Sequence, residues 1–347
     1  MTRREKITRK IYHDIGIDLG TANTLIHVHG VGIAVNEPSV VAIHQKSKKV
    51  IAIGHEAKAM IGKTPADIVA ARPLVDGVVS DFEITEQMLK HFLEKVHKDH
   101  KVLWNRPRVV IGLPSDVTEV EQRAVEEAAR NAGARQTYLI QEPMAAAIGS
   151  GLDVLGDKGT MIVDIGGGST EIALIALGDV VATRSVRIAG DELSESIMRY
   201  TRDQHNLQIG ETTAEKVKLA VGSVYHEKEN REITIRGRNI LSGLPQQIAV
   251  DSDALRPTLV RQFQPIIDAL KSVLEEAPAE IISDIQAGGI TVAGGGALIG
   301  GVTNLIEHET RVKTIASDVA LTAVVQGCSI VLSQFEDYEK VLMQIEE

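Results

Sequence analysis

Two short stretches repeat one pattern: Ile-Asp-Leu-Gly-Thr-Ala-Asn-Thr at residues 17–24 and Val-Asp-Ile-Gly-Gly-Gly-Ser-Thr at residues 163–170. Each reads as an apolar residue, an aspartate, another apolar residue, a glycine, three small residues and a threonine. Each follows an apolar strand pattern and leads into another, so each predicts a strand, a tight glycine turn and a returning strand. An internal repeat of this kind indicates two domains of common design.

Strand and helix patterns alternate along most of the chain, which is typical of an α/β fold. Apolar residues at helical spacing predict a helix over 83–100, with Ser80 and Glu83 as its capping box, and Thr118 and Glu121 predict a second box. Strands are predicted at 15–18, 24–28, 39–43, 108–113, 138–141, 172–177 and 290–293. Further helices are predicted at 144–149, 192–200 and from about residue 298.

Composition restricts the class of protein. The chain has 347 residues, 44% of them apolar and 24% charged, as in a globular protein large enough for two cores. Its net charge of −10 argues against nucleic acid as a partner. Cys328 is the only cysteine and lies in an apolar stretch, which predicts a buried thiol and a reducing cytoplasmic compartment. No apolar run is long enough for a transmembrane helix, and the charged N-terminus lacks the apolar region of a secretory signal.

The two glycine turns are candidate phosphate sites, because small residues leave several backbone N–H groups exposed in one concavity. Asp18 and Asp164 end the preceding strands and would place carboxylates beside the phosphates, where a cation is needed to offset repulsion. Magnesium suits this position, since it keeps several of its waters. A single copy of this motif would be explained at least as well by a plain glycine hairpin, whereas two copies with matched aspartates favour a phosphate site. The chain contains no P-loop sequence.

Three other features are weaker signals. Gly294, Gly295 and Gly296 form a turn between a strand and a predicted helix, which suits a phosphate or nucleoside or simple packing. Gly190 opens a helix with an acidic first turn, which capping alone would explain. Glu142 ends a predicted strand and could orient an attacking water, or it could simply be a helix N-cap.

Together these motifs resemble the ATPase superfamily of actin, Hsp70 and hexokinase. Residues 17–24 resemble its first phosphate motif, 163–170 its second, 142–149 (EPMAAAIG) its connecting helix, and 292–301 (VAGGGALIGG) its adenosine motif. Within the superfamily the chain is most similar to the MreB family of bacterial actins, from about Asp14 to Leu332. The segments that carry this resemblance begin RVVIGLPSDV at 108, LIQEPMAAAIG at 139, VRIAGDELSESI at 186 and IGETTAEKVKLAVGSV at 209.

The resemblance implies an actin-like ATPase fold, in which two duplicated α/β domains of ribonuclease H-like design surround a nucleotide cleft. The first domain would comprise residues 1–155 and about 326–347, with a small subdomain at about 38–74. The second would comprise residues 156–325, with a small subdomain at about 191–255.

The resemblance also implies ATP and Mg²⁺ as cofactors and assigns roles to residues. Asp18 and Asp164 would bind Mg²⁺ through water, and Glu142 would act on the hydrolytic water with Ser169 or Thr170. The phosphate-binding residues would be Gly20, Thr21, Ala22 and Asn23 of the first turn and Gly166, Gly167, Gly168, Ser169 and Thr170 of the second. The ribose and adenine would be enclosed by Gly190, Glu215, Lys218, Gly294, Gly295 and Gly296.

The implied function is cytoskeletal: slow ATP hydrolysis, head-to-tail assembly into paired protofilaments, and guidance of cell-wall synthesis that maintains rod shape. The partners would be other copies of the chain, the inner face of the cytoplasmic membrane, and membrane proteins of cell-wall elongation. Val102, Leu103 and Trp104 form an apolar tip with basic neighbours, which is suited to anionic lipid or to packing on its own domain. The basic N-terminal segment is an amphipathic lipid-binding helix or a disordered arm.

The chain departs from the MreB pattern at several positions. Gln141 stands where a second glutamate is common, Ser169 where threonine is common, and Cys328 and Ser329 where small residues are usual. Three alternatives remain: a small-molecule kinase or phosphatase of the same superfamily, an Hsp70-type chaperone, and another bacterial actin that acts in plasmid segregation or division. The chaperone reading is poor because no long β-rich C-terminal region follows. The sequence leaves the choice between ATP and GTP open.

Overall fold

The computed structural model describes residues 14–65, 67–75, 78–100, 107–226 and 228–344. The predicted membrane residues Val102, Leu103 and Trp104 and the basic N-terminal segment lie outside the described residues. The chain divides into two compact units. Unit 1 comprises residues 1–157, 175–180 and 322–347, and unit 2 comprises residues 158–174 and 181–321.

Strands and helices alternate in both units. The strands are β1 (Ile15–Leu19), β2 (Asn23–Val28), β3 (Gly32–Pro38), β4 (Val41–His44), β5 (Val50–Ile53), β6 (Ile68–Ala71), β7 (Leu74–Val75), β8 (Val78–Val79), β9 (Arg108–Leu113), β10 (Gln136–Gln141), β11 (Thr160–Ile165), β12 (Thr170–Ala176), β13 (Asp179–Val186), β14 (Leu207–Gln208), β15 (Glu232–Asn239), β16 (Pro245–Asp251), β17 (Ile290–Ala293) and β18 (Thr314–Ala316). The α-helices are α1 (His55–Met60), α2 (Phe82–His100), α3 (Glu119–Asn131), α4 (Glu142–Gly149), α5 (Gly190–His205), α6 (Glu211–Val221), α7 (Ser252–Glu276), α8 (Ala279–Gly288), α9 (Val302–Thr310), α10 (Ala323–Ser333) and α11 (Phe335–Tyr338).

The main sheet of unit 1 has the strand order β10-β9-β1-β2-β3. The strands β10, β9 and β1 run parallel, and β2 and β3 follow as antiparallel neighbours. Helix α2 buries one apolar face against this sheet, because Met88, Leu89, Phe92 and Val96 recur at helical spacing and are all buried. A smaller sheet, β5-β4-β6, carries the short helix α1.

The main sheet of unit 2 has the order β13-β12-β11-β17-β18, with β11, β17 and β18 parallel. This order matches that of unit 1: two outer parallel strands, the strand that carries the aspartate, and then the two strands that follow it in sequence. Helix α7 packs Leu259, Phe263 and Ile266 into the same core as Val163 of β11. A second sheet, β14-β15-β16, completes the unit. The predicted α/β class and the common design of the two repeats are therefore confirmed.

Two local predictions were wrong in their boundaries. The predicted strand at 39–43 begins two residues later, since β3 ends at Pro38 and β4 spans Val41–His44. Ser39 lies between them because its hydroxyl donates to the carbonyl of Gly20 at 2.6 Å. The helix predicted from about Leu298 is only a 3-10 turn at Gly295–Leu298, and α9 begins at Val302.

The predicted capping box at Ser80 and Glu83 was also wrong. Asp81 caps α2 instead, because its Oδ1 accepts from the backbone N–H of Ile84 at 3.1 Å. The hydroxyl of Ser80 is engaged elsewhere and donates to the carbonyl of Pro73 at 2.9 Å. The pattern placed the start of the helix correctly but chose the wrong one of two adjacent polar residues.

The other predicted capping box, at Thr118 and Glu121, is confirmed for α3. Both of its reciprocal bonds are present, with the backbone N–H of Thr118 donating to Glu121 at 2.8 Å. Among the helices that the structure describes, none combines the length and the apolar character needed to cross a bilayer.

Helices α4 and α10 of unit 1 approach until their backbones touch. A Cβ atom on Gly149 would lie 1.9 Å from the carbonyl oxygen of Ala323, and one on Gly327 would lie 1.9 Å from that of Ala145. No side-chain rotation can relieve such an overlap, because the obstructing atoms belong to the backbone. The pair therefore depends on glycine at both positions.

We expect Gly327→Ala to lower the free energy of unfolding by about 2 kcal/mol or more, since the two helices must separate to admit the methyl group. Chemical denaturation of the purified variant measures this change. Gly288→Ala is the matched control: Gly288 is the last residue of α8, and a Cβ added there would have no neighbouring atom within 4 Å. Equal effects of the two substitutions would show that close packing is not the reason for glycine at 327.

Candidate functional site

The first repeat forms a hairpin turn between β1 and β2, with Leu19 paired to Thr24. Gly20 is required there, because a Cβ on it would lie 2.9 Å from the carbonyl oxygen of Asn23. Ser39 holds the turn from outside: its hydroxyl donates to Gly20 and lies 2.9 Å from the hydroxyl of Thr24. Thr21 and Ala22 complete the turn. The four predicted phosphate residues of this motif are thus brought together in one tight loop.

Unit 1 places its two predicted carboxylates around one glycine of the sheet. Asp18 on β1 is the register partner of Gly112 on β9, and a Cβ on Gly112 would lie 3.4 Å from Cγ of Glu142. Glu142 is only 9% exposed. Burial raises the pKa of Asp18 to about 7. A carboxyl group in this position is poorly hydrated, and a cation would favour its charged form.

Cys328 on α10 lies behind these carboxylates, with its thiol 3.7 Å from the carbonyl oxygen of Ile17. Its pKa is raised well above the ordinary value, first by burial and then by the charges of Asp18 and Glu142. The prediction of a buried thiol is confirmed, and the thiol is protonated at neutral pH. Reactive cysteines need the opposite environment, one that stabilises the thiolate.

Glu142 is the first residue of α4, and Gln141 occupies the N-cap position without a side-chain cap bond. The alternative that Glu142 is the N-cap was therefore wrong by one residue. A carboxylate in the first turn is favoured by the partial positive charge of the helix N-terminus. The adjacent Pro143 restricts the backbone, so the direction of Glu142 is well defined.

The second repeat forms the corresponding turn in unit 2, between β11 and β12. The backbone N–H of Gly166 donates to the carbonyl of Ser169 at 2.9 Å and closes the turn. Asp164 at the end of β11 is buried, as is Ser169. The hydroxyl of Thr170 donates to the carbonyl of Ile188 at 2.7 Å, so this side chain holds the turn to the next segment.

The start of α5 lies directly against this turn. The N–H of Gly190 donates to the carbonyl of Gly166 at 3.2 Å, and the N–H of Asp191 donates to that of Gly167 at 2.8 Å. Lys218 on α6 donates to the carbonyl of Gly190 at 2.6 Å and to the hydroxyl of Ser194 at 3.0 Å. Lys218 therefore ties α6 to the beginning of α5, and Glu215 lies one turn earlier on the same helix.

The third glycine cluster meets the second aspartate. Gly294 has a φ of +76°, and a Cβ on it would lie 2.4 Å from Oδ1 of Asp164 and 2.3 Å from the carbonyl oxygen of Ile165. A Cβ on Gly296 would lie 2.2 Å from Cγ2 of Ile165. Gly295 has only an ordinary contact, at 3.8 Å, with Leu321. Two of the three predicted glycines are thus required by close approach to β11.

Several residues that hold this arrangement were missed in the sequence. A bridge between Ser223 and Gly300 joins the end of α6 to the glycine cluster, with the N–H of Val224 donating to Gly300 at 2.8 Å. Glycine is required at position 301, because a Cβ added there would lie 2.5 Å from the Cβ of Tyr225. The pair Gly300-Gly301 was visible in the motif, but its contact with residues 222–225 depends on the fold.

Each unit therefore holds one half-site: a strand-end carboxylate beside a glycine turn whose neighbours fix it by backbone bonds. Carboxylate and carbonyl oxygens of this kind are suitable ligands for a hard divalent cation. The backbone N–H groups of the turn are suitable hydrogen-bond donors to an anion. In the described part of the chain, no three His, Cys, Asp or Glu side chains cluster as direct metal ligands. A hydrated Mg²⁺ needs few direct ligands from protein.

We expect Asp18→Asn to raise the thermal midpoint at pH 8 by about 3 °C, in protein free of nucleotide and magnesium. The folded-state pKa lies above the ordinary 3.8, so the stability due to the bound proton is fully present below pH 3.8 and is lost as pH rises from there through about 7. The amide needs no proton, so the gain is smaller at pH 5 than at pH 8 and disappears below pH 3.8. Differential scanning fluorimetry at both pH values measures this effect. Glu336→Gln, which changes an exposed carboxylate, is the control, and an equal gain at pH 5 and pH 8 would contradict the prediction.

Known proteins resemble the chain over nearly its whole length. The family model described as MreB/Mbl protein matches residues 12–340. The cell shape-determining protein Mbl of Bacillus subtilis (strain 168) is 45% identical over 327 residues, which cover 94% of this chain and 98% of that protein. The cell shape-determining protein MreB of Escherichia coli (strain K12) is 47% identical over 319 residues, which cover 91% of this chain and 92% of that protein.

Solved structures agree with the sequence relatives. MreB5 of Spiroplasma citri bound to ADP has a TM-score of 0.89 and 36% identity, covering 95% of this chain and 98% of that one. The same protein bound to AMPPNP has a TM-score of 0.89 and 37% identity over the same shares of the two chains. The predicted actin-like fold and the predicted resemblance are confirmed. The chain belongs to the MreB/Mbl protein family.

Proposed function

We propose that this chain is an ATP-binding cytoskeletal protein that assembles into filaments and maintains rod cell shape. The observation that carries the proposal is the pair of matched half-sites, each a strand-end aspartate beside a glycine turn, in a member of the MreB/Mbl family. Its relatives are named cell shape-determining proteins, and one relative binds ADP and AMPPNP. Fold alone would not justify this step, because related folds host unrelated functions.

Both half-sites contribute to nucleotide binding in this proposal. The backbone N–H groups of the two glycine turns bind the β- and γ-phosphates. The residues involved are Gly20, Thr21, Ala22 and Asn23 of the first turn and Gly166, Gly167, Gly168, Ser169 and Thr170 of the second. The ribose and adenine are bound by Gly190, Glu215, Lys218, Gly294, Gly295 and Gly296. Lys218 acts through its bond to Gly190, since its ammonium group already holds that carbonyl.

Magnesium is bound through water by Asp18 and Asp164. The raised pKa of Asp18 supports this assignment, because a nearby cation would offset the cost of charging a desolvated carboxyl group. When bound, the ion neutralises phosphate charge and orients the terminal phosphate. Glycine at 294 leaves room for the second carboxylate, because a Cβ there would lie 2.4 Å from Oδ1 of Asp164.

Glu142 orients the hydrolytic water in this scheme, and its fixed place at the start of α4 is the supporting feature. Of the two hydroxyls named with it, Ser169 is the better candidate. The proton of Thr170 is already donated to Ile188, so its hydroxyl serves the turn first. Hydrolysis is slow and times filament turnover; the chain is not a metabolic enzyme.

The cellular part of the proposal rests on the family. The filaments are head-to-tail polymers with paired protofilaments, which lie in the cytoplasm on the inner face of the cell membrane and engage membrane proteins of cell-wall elongation. The apolar tip at Val102, Leu103 and Trp104 is the proposed membrane contact. Aromatic residues with basic neighbours in the sequence favour the interface of anionic bilayers.

We expect Lys218→Met to weaken ATP binding by about tenfold, because the start of α5 loses the charged donor that holds Gly190 in place. Titration with a fluorescent ATP analogue measures the affinity. Lys216→Met is the matched control, since Lys216 is exposed on the same helix. Equal ATP affinities of the two variants would show that Lys218 does not contribute to nucleotide binding.

The assembly experiment uses electron microscopy of the purified protein with Mg-ATP, with and without anionic liposomes. We expect filaments that lie on the lipid. Asp164→Ala should abolish them, because the second phosphate turn loses its carboxylate, while Asp157→Ala at an exposed position should not. Mg-ATP binding without filaments in either condition would overturn the cytoskeletal proposal. ADP release that depends strongly on a small acceptor would then identify a kinase of the same superfamily.

A further inference from the structure

Ser39 contacts the first glycine turn at three points, although the sequence marked it only as the start of a predicted strand. Its hydroxyl donates to the carbonyl of Gly20 at 2.6 Å, and its backbone N–H donates to the carbonyl of Ala22 at 3.1 Å. Its hydroxyl oxygen also lies 2.9 Å from that of Thr24. Ser39 and Thr24 are both completely buried, so each hydroxyl depends on these protein partners.

The hydrogen bonds of Ser39 have a defined direction. A serine hydroxyl carries one proton, and Ser39 donates it to the carbonyl of Gly20, the nearer of its two partners. The hydroxyl of Thr24 therefore donates to the oxygen of Ser39. The resulting chain of two hydrogen bonds runs from Thr24 through Ser39 to the turn, and it leaves the Ser39 proton in one place.

These bonds determine which way two peptide groups of the turn face. The carbonyl and the N–H of a trans peptide point in opposite directions. Ser39 holds the carbonyls of Gly20 and Ala22. The N–H groups of Thr21 and Asn23 share those two peptide planes and therefore face away from Ser39. The proposed function places the phosphates on that side, since the backbone N–H groups of the turn are their donors.

The second turn is held in the same way by different atoms. Gly166 has the place of Gly20 in the repeat, and its carbonyl accepts from the backbone N–H of Gly190 at 3.2 Å. The carbonyl of Gly167 accepts from the N–H of Asp191 at 2.8 Å. The donors in unit 2 are thus backbone groups, whereas one donor in unit 1 is a side chain. A substitution can remove that side-chain donor without changing any residue of the turn.

We propose that Ser39 is a positioning residue of the first phosphate turn, whose two hydrogen bonds orient the N–H groups of Thr21 and Asn23 toward the β- and γ-phosphates. This inference rests on the proposed function. Without the hydroxyl, the carbonyl of Gly20 loses this donor, and the peptide between Gly20 and Thr21 is freer to rotate because glycine has the widest backbone freedom. Rotation turns an oxygen toward the phosphates. Donors that are already oriented need no reorganisation when the charge arrives.

The test compares ATP with AMP, which lacks the β- and γ-phosphates. Ser39→Ala should weaken Mg-ATP binding by about tenfold and change AMP binding by less than about twofold. Loss of a bond that only stabilises the fold would weaken the binding of both nucleotides alike. Ser39→Thr keeps the hydroxyl and should restore the Mg-ATP affinity to within about threefold of the wild type. Competition against a fluorescent ATP analogue measures both affinities.

Ser252→Ala is the matched control, because Ser252 is also completely buried and lies outside the proposed nucleotide residues. Its hydroxyl oxygen accepts from the backbone N–H of Arg231 at 3.0 Å and lies 2.9 Å from Oδ1 of Asn230. This variant should lower the thermal midpoint, since buried hydrogen bonds are lost, and leave both nucleotide affinities unchanged.

Circular dichroism establishes that each variant is folded. Ser39→Cys repeats the test with a weaker donor of similar size, so the result does not depend on the folding of Ser39→Ala, and it should weaken Mg-ATP binding by about threefold. Wild-type Mg-ATP affinity in either folded variant would refute the role of Ser39, and so would an equal loss of AMP affinity. Wild-type protein that does not bind Mg-ATP would instead refute the proposed function, and this inference with it.

Discussion

The structure depends on a steric constraint: the carboxylate at the end of a central strand must lie against bare backbone. Gly294 shows the constraint most clearly, since any Cβ there would overlap both Oδ1 of Asp164 and the carbonyl of Ile165. In unit 1 Gly112 pairs with Asp18, and a Cβ on it would lie 2.8 Å from Cγ1 of Val324 and 3.4 Å from Cγ of Glu142. Burial raises the pKa of Asp18 and makes its carboxyl group costly to ionise, which is typical of sites that bind charged ligands.

Close contacts that involve backbone atoms hold several of the surrounding elements. Lys218, Gly190 and Gly166 form one chain of bonds from α6 through α5 to the phosphate turn. In unit 1, α4 and α10 touch at Gly149 and Gly327, which fixes the start of α4 and with it Glu142. Such contacts tolerate little adjustment, because backbone atoms cannot rotate away as side chains do. A small change at either half-site would therefore be felt along the connected elements.

Local sequence patterns predicted the structure correctly where a single strand, turn or helix determines it. The strand–turn–strand form of both repeats, the helix over 83–100 and the capping box of Thr118 follow from neighbouring residues. They failed where two local choices were equivalent, as at Ser80 and Asp81, or where a distant group competed, as when the Ser39 hydroxyl binds Gly20. The predicted phosphate residues needed no distant information, because each group is contiguous in the chain.

The sequence by itself determined the α/β class, the duplication, the family and the residues of the two aspartate–glycine motifs, because these depend on short-range spacing. Only the tertiary structure decided three contacts. Gly112 pairs with Asp18 and lies near Glu142, Lys218 donates its hydrogen bond to the carbonyl of Gly190, and Gly300 is hydrogen-bonded to the end of α6. The tertiary structure also decided that Leu241 and Leu244 remain outside the core. These facts join residues that are far apart in the chain, and no local pattern encodes which distant backbone a glycine or leucine will meet.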